Sequence, residues 1–213
     1  NPNIIENIKK NILLKERFWI AASTHENEED FCLKVHANLK KKFKKIITII
    51  VPRHIDRSSK IKSLSEKFNF NTQLLNKGDL ILDNKEVIIV NSFGVLQEYF
   101  KYSKSVFIGK SINERLKNDS GQNPIDAAKL GCKIYHGPYV NNFKDIYDLL
   151  KENNISKKIE TFEDLSQNLI KDLEFPYTKN NFSNQIIEML GQKTLSDTMK
   201  KINNFIFNDN YKT

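Results

Sequence analysis

Hydrophobic residues along the chain follow two alternating patterns. Short runs of consecutive apolar, mostly β-branched residues are separated by longer stretches in which apolar residues recur every three or four positions. The short runs predict strands buried on both faces, and the longer stretches predict amphipathic helices. The predicted strands are 18–22, 46–51, 87–90, 106–108 and 133–135, and the predicted helices are 28–43, 59–68, 96–102, 123–130 and 143–152. This alternation predicts an α/β fold, a Rossmann-like doubly wound parallel sheet.

Two segments depart from this alternation. Residues 72–86 are less regular, and within them 80–82 are a candidate for a further short strand. After about Lys158 the pattern becomes helical, over 162–173, 182–190 and 196–207. Pro176 separates the first two of these helices, because proline breaks a helix interior. We therefore predict a single domain with a helical C-terminal tail.

Composition limits the class of protein. The 213 residues are enough to bury a core without support from disulfides or metals. The two cysteines, Cys32 and Cys132, lie in patterned segments without a CxxC partner, so we expect buried thiols in a reducing compartment. No apolar run approaches the roughly 20 residues of a membrane span, and the first residues lack the apolar core of a signal peptide.

The net charge of +8 favours an anionic partner. Nucleic acid, a phosphorylated ligand and an acidic membrane surface all satisfy that condition. No RNA-binding signature of the RNP, KH or glycine-rich type occurs, so nucleic acid is not expected as a partner. The lysine-rich run 40–45 is interpreted as a solvated helix end, with weak peripheral binding to an anionic membrane as the alternative.

Ligands of open α/β sheets bind outside the carboxyl ends of the strands, where loops meet helix N-termini. The loops that begin there start at Ser23, Pro52, Asn91, Gly109 and Gly137. In the first, Ser23 and Glu26 have the spacing of a capping box, which is one interpretation. The other places Ser23, Thr24 and His25 at the ligand, since capping explains neither the histidine nor the second hydroxyl.

The second loop is strongly cationic. Arg53 and His54 follow Pro52 directly after a buried strand, where a guanidinium can bind a phosphate or carboxylate through two hydrogen bonds. The alternative is that Arg57 opens the next helix, with Asp56 as its cap, and that Arg53 is only solvated. The first interpretation predicts an anion site at this loop.

The turn from Asn91 to Val95 joins a strand to a helix through Phe93 and Gly94. A glycine at such a turn lets backbone N–H groups approach a ligand, although a tight connection without a ligand would use the same residue. This turn is therefore a candidate, with both interpretations open.

The helix predicted after Gly121 offers a carboxylate at the same edge of the sheet. We expect Asn123 as its N-cap and Pro124 in its first turn, which places Asp126 near the strand ends. A carboxylate there can accept hydrogen bonds from both hydroxyls of a ribose. The alternative role for Asp126 is a favourable interaction with the helix dipole.

Familiar cofactor and catalytic motifs are missing. No G-x-G occurs, and Gly109-Lys110-Ser111 matches only the end of a P-loop, because the earlier glycine position is Lys104. The four histidines and two cysteines lack metal-site spacing, and no G-x-S-x-G elbow occurs. We expect a binder of phosphate and sugar hydroxyls with no cofactor, metal or nucleophile of its own.

Five groups of motifs in these loops carry a family resemblance. They are Arg17-Phe18-Trp19-Ile20-Ala21-Ala22-Ser23-Thr24-His25-Glu26 with Glu28-Glu29, Pro52-Arg53-His54 with Arg57, Phe107-Ile108-Gly109 with Ser111, Gly121-Gln122-Asn123-Pro124, and Gly137-Pro138 before Asn142-Phe143. Together they resemble the C-terminal half of bacterial 3-deoxy-D-manno-octulosonic acid (Kdo) transferase, a two-domain lipopolysaccharide enzyme of the GT-B type. The resemblance spans about Arg17 to Leu150.

The chain departs from the family pattern at several positions. The family glycine after Glu26 is Asn27 here, and the family proline after Pro-Arg-His is Ile55. The acidic residue of the family turn is replaced by Val95, which leaves a backbone role at Phe93 and Gly94. The family glutamate in the following helix is Asp126. Residues 116–119 resemble an insertion.

The resemblance implies a CMP-Kdo donor, a lipid A precursor as acceptor, and an enzyme at the cytoplasmic face of the bacterial inner membrane. It implies that 1–16 are a linker from an N-terminal domain, that 17–213 form the nucleotide-sugar-binding domain, and that the catalytic base lies in the N-terminal domain, so that this part alone is inactive. The implied CMP and donor contacts are Pro52, Arg53, His54, Phe93, Gly94, Val95, Asn123, Pro124, Ile125 and Asp126. Ser23, Thr24, His25 and Glu26 are implied contacts of the donor sugar or the acceptor.

Two alternatives stay open beside this interpretation. One is another GT-B transferase that uses a CMP- or UDP-sugar, which the identity of the bound nucleotide would distinguish. The other is a non-enzymatic module that binds RNA, which a salt-dependent RNA affinity would reveal.

Overall fold

One fully parallel sheet organises the computed structural model, which describes residues 16–175 and 182–208. Its strands are β1 (Phe18–Thr24), β2 (Ile47–Pro52), β3 (Thr72–Asn76), β4 (Val87–Asn91), β5 (Ser105–Ile108), β6 (Lys133–His136) and β7 (Ser156–Lys158). The helices are α1 (Glu28–Lys42), α2 (Ser58–Lys67), α3 (Leu96–Phe100), α4 (Ile125–Lys129), α5 (Lys144–Glu152), α6 (Phe162–Leu173) and α7 (Phe182–Asn208). Short 3₁₀ turns span Ile55–Arg57, Glu114–Asp119 and Asn141–Phe143.

The strand order is β3-β4-β2-β1-β5-β6-β7. From β1 the chain builds one side of the sheet through β2, β3 and β4, and β5 then starts the other side, followed by β6 and β7. The order therefore reverses between β1 and β5, the point at which open α/β sheets receive ligands. The predicted Rossmann-like parallel sheet is confirmed.

Alternate residues of the central strands point to opposite faces of the sheet. One face carries Ile20, Ile49, Ile88, Val106 and Ile134, packed with Tyr99, Ala127, Leu150 and Ile187 from α3, α4, α5 and α7. The other face carries Trp19, Ile50, Ile89, Phe107 and Tyr135, packed with Leu33, Ile61 and Leu165 from α1, α2 and α6. Helices thus cover both faces, which explains why the strand sequences are continuously apolar.

The strand predicted at 80–82 is wrong, and the strand of that region is β3. The backbone of residues 80–82 is instead hydrogen-bonded by the side chain of Gln73. Its Nε2 donates to Leu80 O (2.7 Å), and its Oε1 accepts from Leu82 N (2.9 Å). These bonds hold the segment as a loop beside β3. Edge strands can be polar, so the sequence Thr-Gln-Leu-Leu-Asn of β3 gave no apolar run to detect.

The C-terminal part also differs in two respects. Strand β7 was not predicted, because an edge strand of sequence Ser-Lys-Lys has no apolar pattern. The predicted helices 182–190 and 196–207 are one continuous helix, α7. Gly191 lies inside it, where a glycine weakens a helix by about 1 kcal/mol relative to alanine without ending it. Pro176 lies outside the described residues.

Both cysteines are buried thiols, as predicted. Among residues 16–175 and 182–208, no helix has the length and apolar character needed to cross a membrane.

Replacing Gly137 by alanine should destabilise the fold strongly. A Cβ at this position would lie 2.1 Å from the backbone oxygen of Ser111, which cannot move without disturbing β5. We expect a loss of about 3 kcal/mol in the free energy of unfolding, measured by urea denaturation. Gly191→Ala is the matched control, since a Cβ there meets nothing within 4 Å and should stabilise α7 slightly. Equal effects of the two substitutions would contradict this account.

Candidate functional site

The loops after β1, β2 and β5 lie side by side at the carboxyl edge of the sheet. The backbone N–H of Arg53 donates to Thr24 O (3.0 Å), and the N–H of Gly109 donates to Ala22 O (2.8 Å). Thr24 pairs with Pro52 across a β-bulge. The structure therefore brings together three of the five predicted loops at the point where the strand order reverses.

Gly109 permits this close approach. A Cβ on Gly109 would lie 2.6 Å from Ser23 O and 2.7 Å from the carboxylate of Glu28. On either side, Ser23 (φ 54°) and Lys110 (φ 56°) adopt the left-handed backbone conformation that is rare outside glycine. Unusual backbone of this kind gathers at functional sites, where the surrounding contacts hold it in place.

The carboxylate of Glu28 connects the loops after β1 and β5. Oε2 accepts from the backbone N–H of His25 (2.9 Å) and Lys110 (2.7 Å), and Oε1 accepts from Ser111 (2.8 Å) and Ile112 (3.1 Å). The side chain is buried, which raises the pKa of Glu28, while the four donors favour the charged form. With four acceptor positions used, Glu28 has no oxygen left for a substrate.

The neighbouring carboxylates are also engaged. Glu29 is buried, and its carboxylate accepts hydrogen bonds from both terminal guanidinium nitrogens of Arg57, at 2.9 and 3.0 Å. Glu26 is exposed and forms an ion pair with Lys60 at 2.7 Å. Glu26, Glu28 and Glu29 are thus all engaged by other groups of the chain.

The predicted capping box of Ser23 and Glu26 is wrong. The N-cap of α1 is Asn27, with φ 75° and no hydrogen bond from its side chain. The helix begins at Glu28, five residues after Ser23, so Ser23 lies too far from its first turn to cap it. The side chain of Glu28 accepts the N–H of His25. The alternative interpretation, with the serine-threonine-histidine segment at the sheet edge, fits this geometry better.

Several basic side chains lie at the carboxyl ends of β1 and β2. The rings of His25 and His54 meet edge to face, with centroids 5.7 Å apart. Burial lowers the pKa of His25, and the charges of Lys110, His54 and Arg57 add to that shift. Arg53 is exposed, and its guanidinium has no hydrogen bond or ion pair within the described parts of the chain. Arg53 and His54 are therefore available to an anion, whereas Arg57 is not.

The turn after β4 and the start of α4 form a second part of the carboxyl edge of the sheet, where the strands end. Phe93 is 73% exposed, and Gly94 has φ 75°, a conformation that glycine adopts without strain. Oδ2 of Asp126 accepts a hydrogen bond from Nε2 of Gln97 (3.2 Å), which places this carboxylate beside α3. Val95 and the first residue of α4 pack against the same apolar cluster. The turn and Asp126 are thus neighbours.

Helix α4 begins later than predicted. Its first residue is Ile125 and its N-cap is Pro124, so the predicted start at Asn123 was two residues early. Asn123 still performs the capping bond, because its Oδ1 accepts from Ile125 N (2.9 Å). Asp126 lies in the first turn, as predicted.

The loop after β6 is held internally. The Ser111 hydroxyl donates to Ile108 O (2.7 Å) and accepts from Gly137 N (2.9 Å), which joins the loops after β5 and β6. His136 is buried against Tyr147, with ring centroids 4.4 Å apart, and burial lowers its pKa to about 4. The loop after β6 is thus bonded to the loop after β5 at the carboxyl ends of the strands.

A cavity of about 630 Å³ lies at the opposite, amino-terminal edge of the sheet. Its lining includes Lys40, Lys44, Lys45, Lys85 and Glu86. Lys40 forms an ion pair with Glu86 at 2.6 Å, and Lys85 donates to an asparagine, so two of the lysines that line the cavity already have partners. Since ligands of this fold bind at the carboxyl ends of the strands, we assign the candidate site to that edge despite the cavity.

Comparison with known proteins identifies relatives of this chain. No family model matches. The 3-deoxy-D-manno-octulosonic acid transferases of Haemophilus influenzae and Aquifex aeolicus are 31% and 29% identical to it, over 63% and 67% of the chain. The chain covers only 30% and 38% of their lengths. The C-terminal CMP-Kdo binding domain of WaaA from Acinetobacter baumannii has the same fold, with a TM-score of 0.72, 22% identity, and coverage of 90% of this chain and 96% of that one. The resemblance to Kdo transferases is confirmed.

Two departures from the Kdo transferase pattern acquire a structural explanation. Asn27, at the family's glycine position, has φ 75°, and asparagine tolerates this left-handed conformation better than most residues. The segment 116–119, which resembles an insertion, lies in a 3₁₀ turn whose Asp119 forms an ion pair with Lys110 at 2.7 Å.

The buried histidines should make the fold sensitive to acid. Burial lowers the pKa of both His36 and His136 from 6.5 to about 4. The unfolded chain therefore takes up protons before the folded chain does, and stability present above pH 6.5 is lost as the pH falls toward 4. We expect each histidine to contribute a loss of about 2 kcal/mol between pH 7 and pH 4.5, measured by urea unfolding.

The His136→Phe variant isolates one contribution. Its loss between the two pH values should be smaller than that of the wild type by about 2 kcal/mol, whatever its stability at pH 7. The same acid-induced loss in both proteins would show that His136 is not held neutral.

Proposed function

We propose that this chain is the donor-binding domain of a GT-B glycosyltransferase that moves Kdo from CMP-Kdo to a lipid A precursor. The observation that carries the proposal is the exposed guanidinium of Arg53, which lies beside His54 at the carboxyl end of β2 and has no partner among residues 16–175 and 182–208. It stands next to the loops of β1 and β5, where the order of the sheet reverses. The similarity to Kdo transferases in sequence supports the choice of donor.

In this proposal the CMP phosphate binds Arg53 and His54 through charge-assisted hydrogen bonds. The base and ribose bind the remaining part of the carboxyl edge, which consists of Pro52, Phe93, Gly94, Val95, Asn123, Pro124, Ile125 and Asp126. The donor sugar or acceptor approaches Ser23, Thr24, His25 and Glu26. Of these four, Thr24 is fully buried, so a contact from its hydroxyl would require the loop to open.

Transfer to a hydroxyl also requires a base and stabilisation of the departing phosphate. Cations at the carboxyl edge suit the second task, whereas Glu26, Glu28 and Glu29 are engaged in other bonds. We therefore propose that an N-terminal domain, joined through 1–16, supplies the base and much of the acceptor groove, and that 17–213 alone bind donor without transferring sugar. Residues 1–15 lie outside the described part of the chain. The chain spans about a third of the length of the two curated relatives, which is compatible with this division.

The proposal places the whole enzyme at the cytoplasmic face of the bacterial inner membrane, where its lipid acceptor would lie. Lysines near the end of α1 offer at most weak peripheral attraction to anionic lipid, because Lys40 and Lys42 are already paired with Glu86 and Glu174. Nucleic acid has no part in the proposed function.

Arg53→Ala should weaken CMP binding by one to two decades. A charge-assisted hydrogen bond contributes roughly 1.5–3 kcal/mol, which corresponds to about one to two decades of affinity. Isothermal calorimetry with CMP, and with UMP as the competing nucleotide, measures the loss. Lys67→Ala, at the far end of α2, removes the same charge away from the site and should leave the affinity unchanged. Equal dissociation constants for wild type and Arg53→Ala would remove the arginine from the site.

Asp126→Asn should weaken CMP more than it weakens 2′,3′-dideoxy-CMP. The carboxylate accepts hydrogen bonds from ribose hydroxyls in the proposed complex, and the dideoxy ligand has none to give. The Gln97 amide can keep its hydrogen bond to Oδ2 of Asp126 while the ribose hydroxyls bind Oδ1. Calorimetry of both ligands with both proteins tests this, and equal losses for the two ligands would separate Asp126 from the ribose.

A further inference from the structure

Three successive backbone N–H groups converge on one point after β5. Those of Lys110, Ser111 and Ile112 all donate to the Glu28 carboxylate, at 2.7, 2.8 and 3.1 Å. Lys110 is left-handed, with φ 56°. Successive N–H groups around a left-handed residue form a concave nest that binds anions, as in phosphate-binding loops. The nest of this chain is filled by its own carboxylate.

We propose that Glu28 is a positioning residue that fills this nest and thereby fixes the geometry of the donor site. This inference rests on the proposed function. Glu28 joins the loop that carries His25 to the loop that carries Lys110, because its oxygens accept one N–H from the first and three from the second. With the nest occupied, the donor phosphate is directed to Arg53 and His54 on the neighbouring strand.

The packing around the carboxylate shows that the nest is built for a group of this size. Glu28 is 1% exposed, and Gly109 has room for no side chain because a Cβ would lie 2.7 Å from Oε2. The ring of His25 is in turn placed by the same segment, with Nδ1 donating to Ser23 O at 3.1 Å. A shift of the carboxylate would therefore move both the β1 loop and the β5 loop.

The charge of the group matters as well as its shape. An amide at position 28 would present an NH₂ group to N–H donors, so it would satisfy at most half of them. Removing the side chain would take the partner from four N–H groups, one buried and three half-buried, which is costly. A small free carboxylate, however, has the size and charge to enter the emptied nest.

The test is chemical rescue of Glu28→Ala by formate. CMP affinity is measured by calorimetry at a temperature where circular dichroism shows the variant folded. We expect Glu28→Ala to lose at least tenfold in affinity, and saturating formate to restore it to within about threefold of the wild type. Formate should change neither the wild type nor Glu160→Ala, a control in which an exposed carboxylate is removed. A folded variant with wild-type affinity, or one that formate does not restore, would overturn the proposal.

Two further measurements separate the outcomes. If Glu28→Ala does not fold, Glu28→Gln replaces it, with an expected loss of at least fivefold in CMP affinity; a wild-type affinity would overturn the positioning role. If the wild type binds no CMP, the proposed function fails, and the nest is then tested by thermal melting. Formate should raise the melting temperature of the Glu28 variant and leave those of the wild type and Glu160→Ala unchanged. An equal rise in all three proteins would overturn the proposal that formate binds the nest.

Discussion

The approach of β1 to β5 at their carboxyl ends constrains the rest of the functional edge. Only glycine fits at position 109, because a side chain would meet the backbone of the β1 loop and the Glu28 carboxylate. The space gained lets one buried carboxylate bond four N–H groups of two loops. The unusual backbone of Ser23 and Lys110 follows from this arrangement, and so does the position of the His25 ring.

The distribution of charge reflects the need of buried carboxylates for hydrogen-bond or ion-pair partners. Glu28 is held by backbone, Glu29 by Arg57, and Asp172 by Tyr135, Lys133 and Ser105 at 2.6, 3.0 and 2.8 Å. Asp172 lies on α6 and ties that helix to β5 and β6. These acidic groups are turned inward and paired, whereas the exposed Arg53 at the strand ends has no ion pair with any residue that the structure describes. That contrast supports the proposed binding of an anion at the carboxyl ends of the strands.

Much of the architecture was predictable from sequence, for physical reasons that also explain the failures. Central strands such as β2 are buried on both faces and therefore continuously apolar, so their positions were predicted to within a residue or two. Edge strands β3 and β7 lack that pattern and were missed. Arg53, His54 and Asp126 were predicted to lie near the strand ends because strand ends can be located from sequence. The nest around Glu28 was not found, since it depends on the left-handed Lys110 and on contacts between residues about 80 positions apart. The glycine at 109 was the only sequence signal of that close approach.

Mapping of a bound nucleotide by NMR tests the central claim most directly. In a titration of ¹⁵N-labelled protein with CMP, the account predicts chemical-shift changes at the backbone amides of Arg53, His54, Gly94, Val95, Ile125 and Asp126, on the carboxyl edge of the sheet. Amides that line the cavity at the opposite edge, such as those of Lys44, Lys45, Ile81 and Lys85, should stay unchanged. Shifts confined to that cavity, with the carboxyl edge unaffected, would contradict the assignment of the site.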